Sequence, residues 1–405
     1  MSTTSSPTRA TPSPGTDRRA LTGYATVVLT FMAAASAPTP LYAEYQRAWH
    51  FAPTTLTAVF AAYAAPLLLT LVATGALSDH LGRRAVVLAA MAVEAVALAT
   101  FAVADGTPAL FAARIVQGLA TGAATGALAA AIVDADQVRG ALVNSVAPIA
   151  GLAVGALGTG LLVTYAPAPR QLVYLVLLAV LAVQAAVVAR TPDRSPRRPG
   201  ALASLRPRFA VPATARSALL RVTPVEVAVW ALGGFTLSLG PSLARALSGL
   251  DSPLTGGLTT FALLGAGAAA VLGLHHQPAG RILLIGAAAL TAGSAISVAA
   301  VLTGSFPLLL AGTIVSGAGF GTGFLGAVRT IAPLAAPAER AGLMATFYVI
   351  SYLAMSVPAV GAGLAVARGG LLPTAAGYGT VVALLSLAGL ISTLRTRTTP
   401  IGARP

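Results

Sequence analysis

The chain has 405 residues, 56% of them hydrophobic and 9% charged, against roughly 25% charged in an ordinary soluble domain. So few charges cannot cover a water-soluble surface over this length, and a soluble globular domain is excluded. Absence of cysteine excludes disulfides, thiolate metal sites and cysteine nucleophiles. The net charge of +14 comes from 25 arginines spread among loops, not from a patch suited to nucleic acid.

The first ~18 residues are polar and rich in Ser, Thr and Pro. They lack the apolar core of a signal peptide, so residues 1–19 are expected to form a disordered cytoplasmic tail. Apolar runs longer than 18 residues then recur along the chain, and each reads as a transmembrane helix. Twelve are predicted, at 20–43, 54–77, 85–104, 108–133, 141–165, 171–190, 223–247, 254–274, 282–303, 307–331, 341–366 and 371–394. A lone strand in lipid would leave its backbone unsatisfied. The alternating segments of an outer-membrane barrel, about ten residues each, are not seen. The expected fold is therefore an all-α membrane protein with two six-helix bundles, 20–190 and 223–394, joined by a basic linker, 191–222, and ending in a tail, 395–405.

With both termini cytoplasmic, twenty arginines fall in inside segments and four (Arg47, Arg170, Arg245 and Arg368) outside. That bias fixes the expected orientation. Only Arg114 falls within a span away from its last few residues. The linker carries Pro192, Pro196, Pro199, Pro207 and Pro212, which break any long helix. It reads as a segment whose charge enforces topology; the other reading is an amphipathic surface helix on anionic lipid.

Between the second and third spans lies a polar hinge, Gly75-Ala-Leu-Ser-Asp79-His80-Leu-Gly82-Arg83-Arg84. A degraded copy, Gly273-Leu-His275-His276-Gln277-Pro-Ala-Gly280-Arg281, follows 198 positions later. Pro108 to Gly118 aligns with Pro307 to Gly317 at offset 199, and Arg139-Gly140 with Arg340-Ala341 at offset 201. A repeat with an even number of spans per half is parallel, with its axis along the membrane normal.

These features resemble the major facilitator superfamily. The hinge is similar to its signature between spans two and three, with His80 where a basic residue is usual. Arg114-Ile-Val-Gln117-Gly118 resembles the fourth-span signature of the drug/proton-antiporter branch. The glycines at 151, 155, 158 and 160 resemble its fifth-span signature, with Ala156 in the place of a proline. The resemblance implies a gate in which Asp79 meets the N-terminal end of span eleven, near Ala341 and Gly342, and Arg83 pairs with Asp134, contacts that form only when the cytoplasmic side is closed. It also implies that Arg114 modulates a proton site, and it puts the third span, with Glu94, on the outside of the bundle.

The residues also speak for themselves. A charge in lipid is costly, about 2.5 kcal/mol or more on insertion scales, so Arg114 is a candidate for substrate binding or coupling. Gln117 lies three residues on, on the same face. Glu94, mid-span, is a candidate coupling carboxylate, whereas Glu226 is placed nearer the cytoplasmic end of its span. Tyr348 and Tyr352 share a helical face, Trp230 and Phe235 lie on span seven, and Tyr63 joins the cavity candidates. The run Gly317, Gly319, Gly321, Gly323 reads as a packing surface. No phosphate-binding Gly-Lys-Ser/Thr loop is present.

The expected function is secondary active transport of a small organic solute across the inner membrane, with proton-coupled efflux ahead of proton-linked import of a sugar or organic acid. A multi-span enzyme or sensor is the third reading, and lacks an intramembrane His/Asp/Glu cluster. Expected partners are a small-molecule substrate, protons and the bilayer. No cofactor, metal, nucleic acid or protein partner is expected.

Overall fold

The computed structural model describes residues 17–75, 77–193, 199–205 and 209–398. Ala76 of the hinge, residues 194–198 and 206–208 of the linker, residues 1–16 and residues 399–405 lie outside the described residues. Among the described residues every regular element is helical. Twelve helices are long and apolar enough to cross a membrane: Arg18–Trp49, Pro53–Thr74, Arg83–Ala102, Thr107–Ala135, Gln137–Tyr165, Leu172–Arg190, Ala213–Ser238, Pro253–Leu274, Ala279–Thr303, Phe306–Leu334, Glu339–Gly369 and Leu371–Arg395. They are called the first to twelfth spans below.

Local chemistry explains the helix ends. Proline opens the second and eighth spans at Pro53 and Pro253, and stands at the second position of the fourth and tenth, as Pro108 and Pro307. A missing N–H costs nothing in the first turn. Gly82, with φ of 95°, turns the chain from the hinge into the third span, a conformation that L side chains avoid.

Several spans are irregular. The first span breaks at Ala37, between Arg18–Ser36 and Pro38–Trp49. The seventh ends at Ser238 and is followed, after Leu239, by a short helix, Gly240–Ser248. The fifth and eleventh spans each carry an internal proline, Pro148 and Pro358.

The seventh span begins ten residues earlier than the sequence suggests, at Ala213 rather than 223, and stops at Ser238. The early turns are held by an apolar face of Ala215, Ala218, Leu219 and Val222, all buried, at the i, i+3, i+4, i+7 spacing of one helix side. Arg216 and Arg221 point outward and stay exposed. This shift moves Glu226 from the end of its span to the middle, correcting the sequence-based placement.

The glycines of the tenth span pack in two directions. A Cβ on Gly317 would lie 2.1 Å from the Leu263 carbonyl oxygen of the eighth span, and one on Gly319 would lie 2.5 Å from Leu290 N of the ninth. Such backbone approach leaves no room for a side chain.

Spans from the two halves meet closely toward the end that carries Arg47. There Arg47 Nη1 bonds Asp251 Oδ2 at 2.8 Å, Gly160 and Gly257 approach within 3.3 Å of a Cβ, and a Cβ on Gly363 would touch Thr57 Oγ1 at 2.1 Å. Arg245 lies 3.6 Å from Asp251. Burial holds the Arg245 guanidinium below its ordinary value, and the nearby Arg47 charge pushes the same way.

Candidate functional site

Arg114 is 1% exposed, among the largest fully buried side chains. The fourth span aims it at the break in the first. There Pro38 and Pro40 bring no N–H to the helical ladder, so the carbonyls of Ala34 and Ser36, on either side of Ala35, lose their helical donors. Arg114 donates from Nη1 to the Ala35 carbonyl at 2.9 Å, and from Nε and Nη2 to the Tyr42 hydroxyl at 3.1 and 2.6 Å. Nη1 also donates to Gln117 Oε1 at 2.8 Å. The guanidinium carbon lies 5.6 Å from the Tyr42 and Tyr63 ring centres and 5.8 Å from that of Phe101, a range in which aromatic faces attract a cation. Four hydrogen bonds and three rings replace the water that a buried charge has lost.

Gln117 passes the contact on. Its Nε2 donates to Glu94 Oε1 at 3.0 Å. Glu94 is fully buried, and its other oxygen, Oε2, has no hydrogen-bond partner. The third span, which packs chiefly on the fourth and sixth spans, turns Glu94 toward the fourth. Behind the cluster, Phe101 stacks on Tyr174 at 4.9 Å, and the Tyr174 and Tyr45 hydroxyls lie 3.0 Å apart.

The hinge is a charge clamp within the first half. Arg83 pairs with Asp79, bonds Ser78 Oγ at 2.6 Å and reaches Asp134 Oδ2 at 3.2 Å. Arg84 donates to the carbonyls of Ala189 and Thr191 at 3.3 and 3.2 Å, tying the hinge to the end of the sixth span. Gly75 ends the helix Ala64–Thr74, and a Cβ on Gly126 of the fourth span would come within 3.4 Å of it. Among the described residues Asp79 hydrogen-bonds Arg83 and none of its hydrogen bonds reaches span eleven in this arrangement of the halves. Its helix, Leu77–Leu81, packs on the third and fourth spans. The arginine four residues on, one turn away, captures the carboxylate.

In the second half, Trp230 and Tyr352 come together, ring centres 5.0 Å apart, with Phe324 at 5.9 Å from Trp230. Tyr348 contacts Phe347 at 6.2 Å on the same span. Phe235 does not join them; it packs on Tyr378 at 4.7 Å in a separate cluster. Tyr63 stays with Arg114.

Sequence reasoning missed Tyr42, which holds Arg114 from 72 residues away, and Ser351, whose Oγ donates to Glu226 at 2.7 Å. The paired prolines before Tyr42 mark the helix break, and that is the only signal for it in the chain. Among the described residues no group of three or more His, Cys, Asp or Glu is placed to hold a metal ion.

Twelve spans with a charged cluster buried among them describe a multi-pass membrane protein. The sequence profile of the Major Facilitator Superfamily matches residues 24–359, and the chain belongs to that superfamily of transporters. No curated protein matches it in sequence. Among solved structures it is similar to the human organic anion transporter MFSD10 (TETRAN), with 19% identity and a TM-score of 0.66 over 93% of this chain and 100% of that one. It is also similar to a mutant of the nucleoside transporter NupG, with 13% identity and a TM-score of 0.69 over 94% of this chain and 99% of that one.

Proposed function

We propose that the protein is an inner-membrane antiporter of the drug/proton type, exporting a small organic solute in exchange for protons by alternating access of its two halves, 20–190 and 223–394. In this reading the Arg83 end is cytoplasmic, the linker 191–222 sets the topology, and the hinge from Gly75 to Arg84 with Asp134 keeps the second, third and fourth spans moving as one body. The observation that carries it is the chain Arg114–Gln117–Glu94, which ends in a buried carboxyl oxygen with no partner. Glu94 is the proton carrier. Arg114 is its fixed counter-charge, and Gln117 transmits the state of one to the other. Trp230, Tyr348, Tyr352 and Tyr63 are the aromatic lining that receives the solute. The organic anion and nucleoside of the similar transporters' names belong to those proteins; they support a small organic solute as cargo here.

The test is transport in proteoliposomes with an imposed pH gradient, using as cargo a compound that thermally stabilises the purified protein. Gradient-driven accumulation should be lost in Glu94→Gln while exchange at equal pH on both sides persists. Accumulation by that variant at the parent rate would overturn the assignment.

A further inference from the structure

The second half holds a cavity apart from the clusters described above. It measures about 50 Å³ and is lined from spans seven, eight, nine, ten and twelve and from the short helix Gly240–Ser248. Its apolar walls include Phe235, Leu243 and Leu309. Its polar atoms are hydroxyls, among them those of Thr259, Ser294 and Thr313, and none of its lining residues carries a charge.

The repeat in the sequence gives this cavity a meaning. At offset 199, Thr313 stands in the register of Arg114 and Ser316 in that of Gln117. The offsets of 198 and 199 bring Ala292 and Gly293 to the register of Glu94. Guanidinium, amide and carboxyl have all been replaced by smaller groups. Short hydroxylic side chains thus stand where the first half has a long charged one, and the tenth span borders a cavity there.

The hydroxyls indicate what the cavity takes. Thr259 Oγ1 donates to the Thr255 carbonyl at 2.8 Å, and Thr313 Oγ1 to the Leu309 carbonyl at 2.7 Å. Their protons are engaged, but their oxygens can still accept. Ser294 is 1% exposed, and its Oγ has no hydrogen-bond partner. The wall therefore offers acceptors together with one free hydroxyl that can donate or accept. A cation finds no carboxylate here and an anion no cationic donor. An apolar guest would leave the Ser294 hydroxyl unpaired, at a cost in stability. A benzene-sized guest occupies a cavity of about 150 Å³, whereas one water needs only about 10–15 Å³.

We propose that this cavity is a hydration site, holding a cluster of about three to five ordered waters bonded to Ser294, Thr259 and Thr313. Solvent then supplies to the second half the hydrogen bonds that a guanidinium supplies to the first. A water that donates to a threonine oxygen and accepts from Ser294 Oγ satisfies the group the chain leaves unpaired.

X-ray footprinting of purified full-length protein in detergent tests it. Radiolysis makes hydroxyl radicals from water in place, so a buried side chain is oxidised quickly only where water touches it. Phe235 and Leu309, 7% and 3% exposed, should be oxidised at least tenfold faster than Phe31 and Leu290, which are 1% and 0% exposed and do not line the cavity. Ser294→Val removes the free hydroxyl and fills space, and should bring both rates down to those of the two controls; a thermal melt checks that it is folded. If it does not fold, Thr313→Val, which keeps the side-chain shape, should lower both rates at least threefold. The proposal is overturned if the wild-type rates match the controls, which means a dry cavity, or if a folded variant leaves them unchanged, which means that the water lies elsewhere. Neither cargo nor gradient enters the measurement, so it stands or falls apart from the transport reading.

Discussion

Gln117→Met is the sharpest perturbation of the buried cluster, because it cuts the path between Arg114 and Glu94 while leaving both charges in place. Methionine matches the length of glutamine and fills the same space without donor or acceptor. Two hydrogen bonds disappear, at 2.8 Å to Arg114 and 3.0 Å to Glu94. A hydrogen bond to a charged group contributes about 1.5–3 kcal/mol, so the lower bound for two is about 3 kcal/mol. The loss is uneven. Arg114 keeps Tyr42 and the Ala35 carbonyl, whereas Glu94 is left with both oxygens unpaired. At 1.4 kcal/mol per decade, coupled transport should fall about a hundredfold. The assay compares gradient-driven accumulation with counterflow at equal pH in the same proteoliposomes. Only the first should collapse. Coupled transport at the parent rate would refute the relay, and an equal fall in both would show that Gln117 serves binding or folding instead.

Four further outcomes are expected. Arg114→Leu should abolish transport in a protein that still inserts, and Arg114→Lys should fail as well, since one ammonium cannot span Tyr42, Ala35 and Gln117 as a planar fork does; vesicle transport with an expression control decides. Asp79→Asn should slow transport yet lower thermal stability by less than about 1 kcal/mol, because its pair with Arg83 is half exposed. Gly82→Ala should destabilise by about 1–3 kcal/mol through its backbone angle alone, measured as a shift in the detergent melt. Thr57→Cys with Gly363→Cys, in a chain otherwise free of cysteine, should crosslink under mild oxidant and stop transport until a thiol reductant is added. The Cβ approach of 3.0 Å needs to relax only to the about 3.5–4.5 Å of a disulfide.

The twelve spans were legible because lipid imposes one rule on every helix: long apolar runs with their backbone satisfied internally. The seventh span shows where that rule misleads. Arg216 and Arg221 look like linker, yet Ala215, Ala218, Leu219 and Val222 carry a helical apolar face past them. The clamp of Arg83 with Asp134 could be expected from the resemblance; the capture of Asp79 by Arg83 could not, since it depends on which side chain is nearer in this arrangement of the halves. Arg114 stood out as a lone charge in an apolar run, but apart from Gln117 its partners come from the first, second and third spans. No periodicity within one helix indicates which neighbour it will face. Glu226 was visible and misplaced, because an error of ten residues in a helix start is two to three turns of depth.

The repeat supplies two similar scaffolds, and the charges make them unlike. In the first half, a fixed guanidinium and a carboxyl share one amide bridge, so that site holds its own counter-ion and can change its proton count without attracting a foreign cation. In the second half, the carboxyl of Glu226 has serine and aromatic neighbours and no counter-ion among the described residues. Tyr63 beside Arg114 and Tyr352 beside Trp230 stand where these two environments approach each other across the halves. The place where the halves meet is where a change in their packing reaches both environments at once.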